Sequence, residues 1–211
     1  MKLRYLSVFA AMVLCSVATF AQNPVTADSP FQVRYASNLP IGDSVINITN
    51  TGASSTVAFP TQNGNICENV YTFSPDEQLI SCCACPVTPD GLVSLSARND
   101  LISNTLTPGV PTSIVIKLLA STGTTCNAAT VSPEALAPGM AAWGTTIHAL
   151  PVTPGSPATT YGVTETAFTP STLSAAEFTR IRTLCGFIET NGSGFGICKS
   201  CRLGGLGATQ Q

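Results

Sequence analysis

Apolar and polar residues alternate along several short stretches of this chain. Between residues 31 and 35, Phe31, Val33 and Tyr35 alternate with Gln32 and Arg34. Successive side chains of a strand point to opposite faces of a sheet, so this pattern predicts a first strand. Alternation, β-branched runs and Pro/Gly turns predict further strands. Their ranges are 44–50, 56–59, 70–73, 79–85, 93–97, 101–106, 113–119, 143–150 and 163–168.

Strands that recur about every ten residues, with Pro and Gly between them, are typical of a sandwich of two sheets. We therefore expect an all-β fold, an immunoglobulin-like antiparallel β-sandwich, over residues 22–170.

A single helix is predicted near the end of the chain. Ser174 and Glu177 form a capping box, and Asn191 with Gly192 supplies a stop signal. The apolar residues at helical spacing are Phe178, Ile181, Leu184, Cys185 and Ile188. We expect the helix and the cysteine-rich tail, residues 171–211, to pack on the sandwich.

The first 21 residues have the pattern of a secretory leader. Lys2 and Arg4 precede an uncharged apolar run over residues 6–17, and the segment ends in the small residue Ala21. The run is shorter than the roughly 20 apolar residues of a membrane-spanning helix. We therefore expect residues 1–21 to be a signal peptide. The mature protein is then secreted, at the cell surface or outside the cell, with no membrane attachment.

Removal of Cys15 with the leader reduces nine cysteines to eight, an even number that predicts up to four disulfides in an oxidising compartment. The eight disulfide candidates are Cys67, Cys82, Cys83, Cys85, Cys126, Cys185, Cys198 and Cys201.

Half of these cysteines lie between residues 67 and 85, where a hairpin with a turn at residues 74–77 is predicted. On the second strand of that hairpin, Cys83 and Cys85 share one face and Cys82 lies on the other. They therefore need different partners. We expect Cys126 to bond with a cysteine of this stretch, and Cys185 to bond with Cys198 or Cys201.

Charged residues make up only 9% of the chain, against roughly 25% in ordinary soluble proteins. Nine basic residues less Lys2 and Arg4 leave 7 against 11 acidic residues, so the mature net charge is about −4. An acidic chain without a basic run is not expected to bind nucleic acid. Its weak charge repulsion favours self-association or contact with a cell-surface or matrix polymer. The alternative is a monomer with a polar coat.

Two cysteine-based chemistries compete with structural disulfides. The Cys198–Cys201 pair has the CxxC spacing of thiol oxidoreductases. Together with Cys82, Cys83 and Cys85 it has thiols enough for a zinc site. Because dense cysteines in a secreted chain usually form disulfides, we predict no metal and no cofactor.

His148 is the only histidine, and no Gly-x-Ser-x-Gly elbow is present. We therefore interpret it as structural and expect no enzyme activity. Trp143, with Tyr71, Tyr161 and Phe195, is a candidate stacking platform for a sugar. The competing interpretation is that this lone tryptophan belongs to the core.

Three functions follow from these observations. We expect a secreted, non-catalytic, disulfide-stabilised structural or surface-assembly protein. Residues 22–35 would add as a strand to the sheet edge of a neighbouring copy. The alternative is a carbohydrate- or surface-binding β-sandwich module that uses Trp143. A thiol oxidoreductase is the third.

Overall fold

A computed structural model describes residues 29–55, 64–89, 91–102, 109–123, 125–149 and 161–190. It is mostly β, with two antiparallel sheets and a C-terminal helix. The strands are β1 (Phe31–Ser37), β2 (Val45–Asn50), β3 (Ile66–Phe73), β4 (Leu79–Val87), β5 (Leu92–Ser96), β6 (Ser113–Ser121), β7 (Met140–Ala149), β8 (Tyr161–Ala167) and β9 (Thr169–Pro170). The helix, α1, covers Ala175–Thr190.

The strands form one sheet in the order β4-β3-β6-β1-β9 and another in the order β5-β2-β7-β8. Their facing sides enclose the main core. This core contains Ile46, Ile48, Val70, Leu95, Ile116 and Leu118, each completely buried. The alternation along each strand places these residues on the inner faces.

The five-stranded sheet is covered on its other face as well. Helix α1 packs there through Phe178, Ile181 and Cys185, against a second apolar cluster that includes Phe31 and Tyr71. The sheet therefore lies between the smaller sheet and the helix. The strand predicted at residues 31–35 is confirmed as part of β1, and its polar residues Gln32 and Arg34 point into the space between the sheets.

The start of α1 is capped as predicted, since the Ser174 hydroxyl accepts a hydrogen bond from the Glu177 backbone N–H at 3.1 Å. The Glu177 carboxylate does not complete the capping box. It pairs instead with Lys117 of β6 and lies 3.7 Å from Arg180. The Glu177 side chain therefore links the start of the helix to the sheet.

Residues 101–106 were expected to continue the sheet, and the described part of this range does not. Ala97–Leu101 forms one helical turn instead, and residues 103–106 lie outside the described residues. The turn is held by Ser96, whose hydroxyl accepts from the Asn99 N–H at 2.9 Å. The strand predicted at residues 56–59 also lies outside the described residues.

Glu68 is a fully buried carboxyl group on the inner face of β3. Neither carboxyl oxygen has a hydrogen-bond partner. Burial raises the pKa of Glu68 well above its ordinary value of 4.5. Folding therefore favours the protonated, neutral form.

The raised pKa of Glu68 predicts how stability depends on pH. The folded state binds the proton more tightly than the unfolded chain, so the free energy of unfolding falls as pH rises above about 4.5. The slope reaches about 1.4 kcal/mol per pH unit at most. Glu68→Gln should remove this contribution, as measured by denaturant unfolding between pH 4 and 8. Asp76→Asn, in an exposed turn, should retain it. A Glu68→Gln curve parallel to that of the parent would contradict the assignment.

Candidate functional site: a disulfide-locked sandwich with an open sheet edge

Strand β4 presents its cysteines to both sides of the five-stranded sheet. Cys82 lies opposite Tyr71 and belongs to the cluster beneath the helix. Cys83 and Cys85 lie opposite Val70 and Glu68 and belong to the core between the sheets. This is the division of faces that strand alternation predicts.

The sulfur of Cys82 is bonded to Cys185 on helix α1, with the two Cα atoms 5.8 Å apart. The expected pairing of Cys185 with Cys198 or Cys201 is therefore wrong. The apolar face of the helix lies across the outer face of the sheet, which brings Cys185 over Cys82. The bond connects residues 103 positions apart and fastens the helix to the edge strand β4.

A second disulfide joins Cys67 of β3 to Cys126 in the segment after β6, with Cα atoms 5.3 Å apart. Cys126 thus bonds with a cysteine of the 67–85 stretch, as expected. Cys83 and Cys85 are also disulfide-bonded, and their partners lie outside the described residues. So do Cys198 and Cys201, and with them the CxxC motif.

The sulfur chemistry bears directly on the zinc hypothesis. Zinc binds cysteine as thiolate, and Cys82, Cys83 and Cys85 are all oxidised. The carboxylate of Glu189 lies beside the Cys82–Cys185 bond. The sulfur and oxygen atoms of these three residues are therefore as close together as the ligands of a metal site. Because both sulfurs are bonded to each other, this cluster is a structural link. Glu189 accepts a hydrogen bond from Asn127 at 3.0 Å.

At the opposite end of the same sheet, strand β1 is only partly covered. Strand β9 pairs with β1 at Gln32 and Val33 alone. Along residues 34–37, no strand among the described residues pairs with the outer edge of β1. This edge is the candidate functional site.

The direction of the free backbone groups follows from two hydrogen bonds. The Pro30 carbonyl accepts from the Ala120 N–H on the β6 side, and the Phe31 carbonyl accepts from the Ser171 N–H on the outer side. Because these directions alternate along an antiparallel strand, the N–H and C=O groups of Tyr35 and Ser37 point outward. They are positioned to pair with an added strand.

A groove lies beside this edge because the chain changes sheets next to it. Strand β8 pairs with β7, the Phe168 N–H donates to Ala142 at 2.9 Å, and β9 then joins β1. The space left between β1 and the crossing segment has a volume of about 480 Å³. It is lined by Val33, Arg34, Tyr35, Thr166, Ala167, Thr169 and Ser171.

Arg34 is the charged residue of this groove and is only 6% exposed. Its guanidinium donates to the Thr166 carbonyl at 2.8 Å and to the Thr146 hydroxyl at 2.8 Å, and its Nε has no partner. Burial lowers the pKa of Arg34, and the negative charge of Glu165 opposes that shift. No carboxylate in the described part of the chain forms a salt bridge with it.

The guanidinium of Arg34 depends on a glycine of the facing sheet. A Cβ atom added to Gly144 would lie 2.7 Å from the Arg34 Nε atom. Gly144 is therefore the residue that lets this long side chain lie between the sheets. An arginine in an alternating strand and a glycine in another give no sequence signal of this contact.

Trp143 lies on the outer face of the four-stranded sheet, opposite Asn47 and Ala167, and is partly exposed. Two of the residues predicted to join it in a platform lie elsewhere. Tyr71 is fully buried beneath the helix, where its hydroxyl donates to Ala128 at 2.6 Å. Tyr161 is on the outer face but pairs six positions along β7 from Trp143, about 20 Å away. Phe195 lies outside the described residues.

The lone histidine and one pair of carboxylates do not line the groove. The Nε2 atom of His148 is buried and has no hydrogen-bond partner in the described structure. Asp43 and Asp100 do converge, which sequence spacing did not reveal. Asp43 binds the Ser96 hydroxyl and accepts from the Arg98 N–H at 2.9 Å, while Asp100 accepts from the Ser96 N–H at 2.7 Å. Both carboxylates therefore stabilise the helical turn after β5.

Comparison with known proteins yields no match to this chain among family models, curated proteins or solved structures. Within the described ranges, α1 and the short turns are too short or too polar for a membrane-spanning helix.

The two described disulfides predict distinguishable effects when removed. Replacing Cys82 and Cys185 by alanine should lower the free energy of unfolding by about 2–5 kcal/mol and speed amide exchange in α1, because the helix loses its covalent tie. Replacing Cys67 and Cys126 should destabilise by a similar amount but leave the α1 amides protected. Equal helix protection in the two double variants would show that the Cys82–Cys185 bond does not hold the helix.

Proposed function

We propose that this chain is a secreted, non-catalytic, disulfide-stabilised structural protein that associates with copies of itself. The observation that carries the proposal is the outer edge of β1 at residues 34–37, which no strand of the described residues covers and which lies beside an open groove. Exposed strand edges are templates for pairing with another chain. The sheet that bears this edge is held on both sides by packing and by sulfur bonds, so a rigid acceptor is presented.

Two further properties support the proposal. All six described cysteines are oxidised, which suits an oxidising compartment outside the cytosol. With charged residues at only 9% of the chain, copies approach one another against little electrostatic repulsion.

We also infer that the sandwich is a variant of the immunoglobulin-like arrangement. The pairing of β2 with β5 and of β3 with β6 matches strands B with E and C with F of that fold. The outer positions differ. The first strand normally lies beside B and the last beside F, whereas here β1 pairs with β6 and β7 pairs with β2.

Association through this edge predicts a specific response to proline. Tyr35→Pro removes an outward N–H. An isolated copy tolerates this loss because the N–H lies at a strand edge, but an added strand needs the N–H for pairing. In the chain beginning at Gln22, this change should weaken self-association about tenfold or more, as measured by light scattering over a concentration series. Tyr35→Ala retains the N–H and is the matched control. Identical association of the parent and both variants would rule out this edge.

A second candidate function, carbohydrate binding, is favoured by the position of Trp143 on an outer sheet face. That face also carries Tyr161 and Val163, which are 48% and 65% exposed. An aromatic ring in such a place can stack on the apolar face of a sugar.

Carbohydrate binding predicts that a glycan array will detect a ligand and that Trp143→Ala will weaken its binding about tenfold or more, as for a central contact residue. Tyr71→Phe, which alters only a buried hydroxyl, should bind like the parent. If the folded parent binds no glycan, this candidate is removed.

A further inference from the structure

We propose that residues 25–28 of a second copy form the strand that pairs with β1 along residues 34–37, with Asp28 facing Arg34. This inference rests on the proposed function, because it names the donor for the same edge. Each copy would then be donor at one end and acceptor at another. Such a head-to-tail contact builds a ring if it closes and a filament if it does not.

The donor must come from another copy because the path within one chain is blocked. Ser29 and Pro30 are held at the start of β1, where the Pro30 carbonyl accepts from Ala120 at 2.8 Å. From there, residues 22–28 would have to fold back past Gln32 and Val33. Those two edge positions are taken by β9. The expected donor segment 22–35 is also corrected here, since residues 31–35 are already paired in their own sheet.

The backbone groups match in an antiparallel register that places Asp28 opposite Arg34. Ala27 then lies opposite Tyr35, and Val25 lies opposite Ser37. Both donor residues have the N–H groups that the outward backbone of β1 requires. Pro24, which has no N–H, lies beyond the paired positions. The four donor residues span about 13 Å, the length of the four uncovered acceptor positions.

The charges match as well. Asp28 is the only charged residue between positions 22 and 33, and Arg34 is the only one in β1. The Arg34 guanidinium is buried at the groove with hydroxyl and carbonyl partners, and no carboxylate among the described residues is bonded to it. A buried cation gains more from an anionic partner than from neutral ones. The carboxylate of Asp28 would therefore be the anionic partner of the Arg34 guanidinium.

A mixing experiment separates donor from acceptor. The chain that begins at Ser29 retains the edge but not the donor segment. The chain that begins at Gln22 and carries Tyr35→Pro retains the donor but has a blocked edge. By analytical ultracentrifugation, each alone should sediment as one copy, and an equimolar mixture should form pairs that grow no further. Asp28→Asn in the donor should weaken pairing about tenfold or more, because a charge-assisted hydrogen bond is lost.

The outcomes distinguish this inference from the proposed function. If the parent chain associates but the mixture forms no pairs, the donor assignment is wrong while self-association stands. If the parent remains a single copy at every concentration, the proposed function fails.

If the Tyr35→Pro variant unfolds, Ser37→Pro replaces it, because it removes the other outward N–H. A synthetic peptide of residues 22–30 should also bind the chain that begins at Ser29, and no binding to that folded chain would overturn the inference.

Discussion

The structure depends on one covalent constraint: strand β4 carries sulfur bonds on both of its faces. Because alternate side chains of a strand point in opposite directions, Cys82 is bonded to the helix while Cys83 and Cys85 face the core between the sheets. The five-stranded sheet is consequently an inner layer, covered by a sheet on one side and a helix on the other. With few ion pairs among the described residues, these bonds and the two apolar clusters supply the cohesion.

The covalent constraint lies at one edge of the sheet, and the described residues cover the opposite edge only in part. β4 forms one boundary and cannot shift without breaking its bonds. At the other boundary, β9 covers two positions of β1 before the chain ends its pairing. Natural proteins usually protect such edges with charges, prolines or bulges. Here β9 is a very short strand that contains Pro170, and Arg34 points inward, but β9 covers only Gln32 and Val33, so residues 34–37 lie beside the groove.

Much of the fold could be predicted from local patterns. Alternation located most of the described strands, though not β9, and the same alternation separated Cys82 from Cys83 and Cys85. It did not identify the partner of Cys185, because that depends on where the helix crosses the sheet. The helical turn at Ala97–Leu101 was also missed, since one of its stabilising contacts comes from Asp43, more than 50 residues earlier. Nor could one sequence show that Arg34 lies over Gly144, because strand order and sheet stacking are set by contacts remote along the chain.

The claim that β1 gains a partner strand can be tested by amide hydrogen exchange at single-residue resolution, comparing dilute and associated protein. The account predicts that the outward amides of Tyr35 and Ser37 exchange rapidly in the dilute form and become strongly protected on association. The amides of β1 that face β6 should be protected in both forms. Rapid exchange of Tyr35 and Ser37 in fully associated protein would contradict the account.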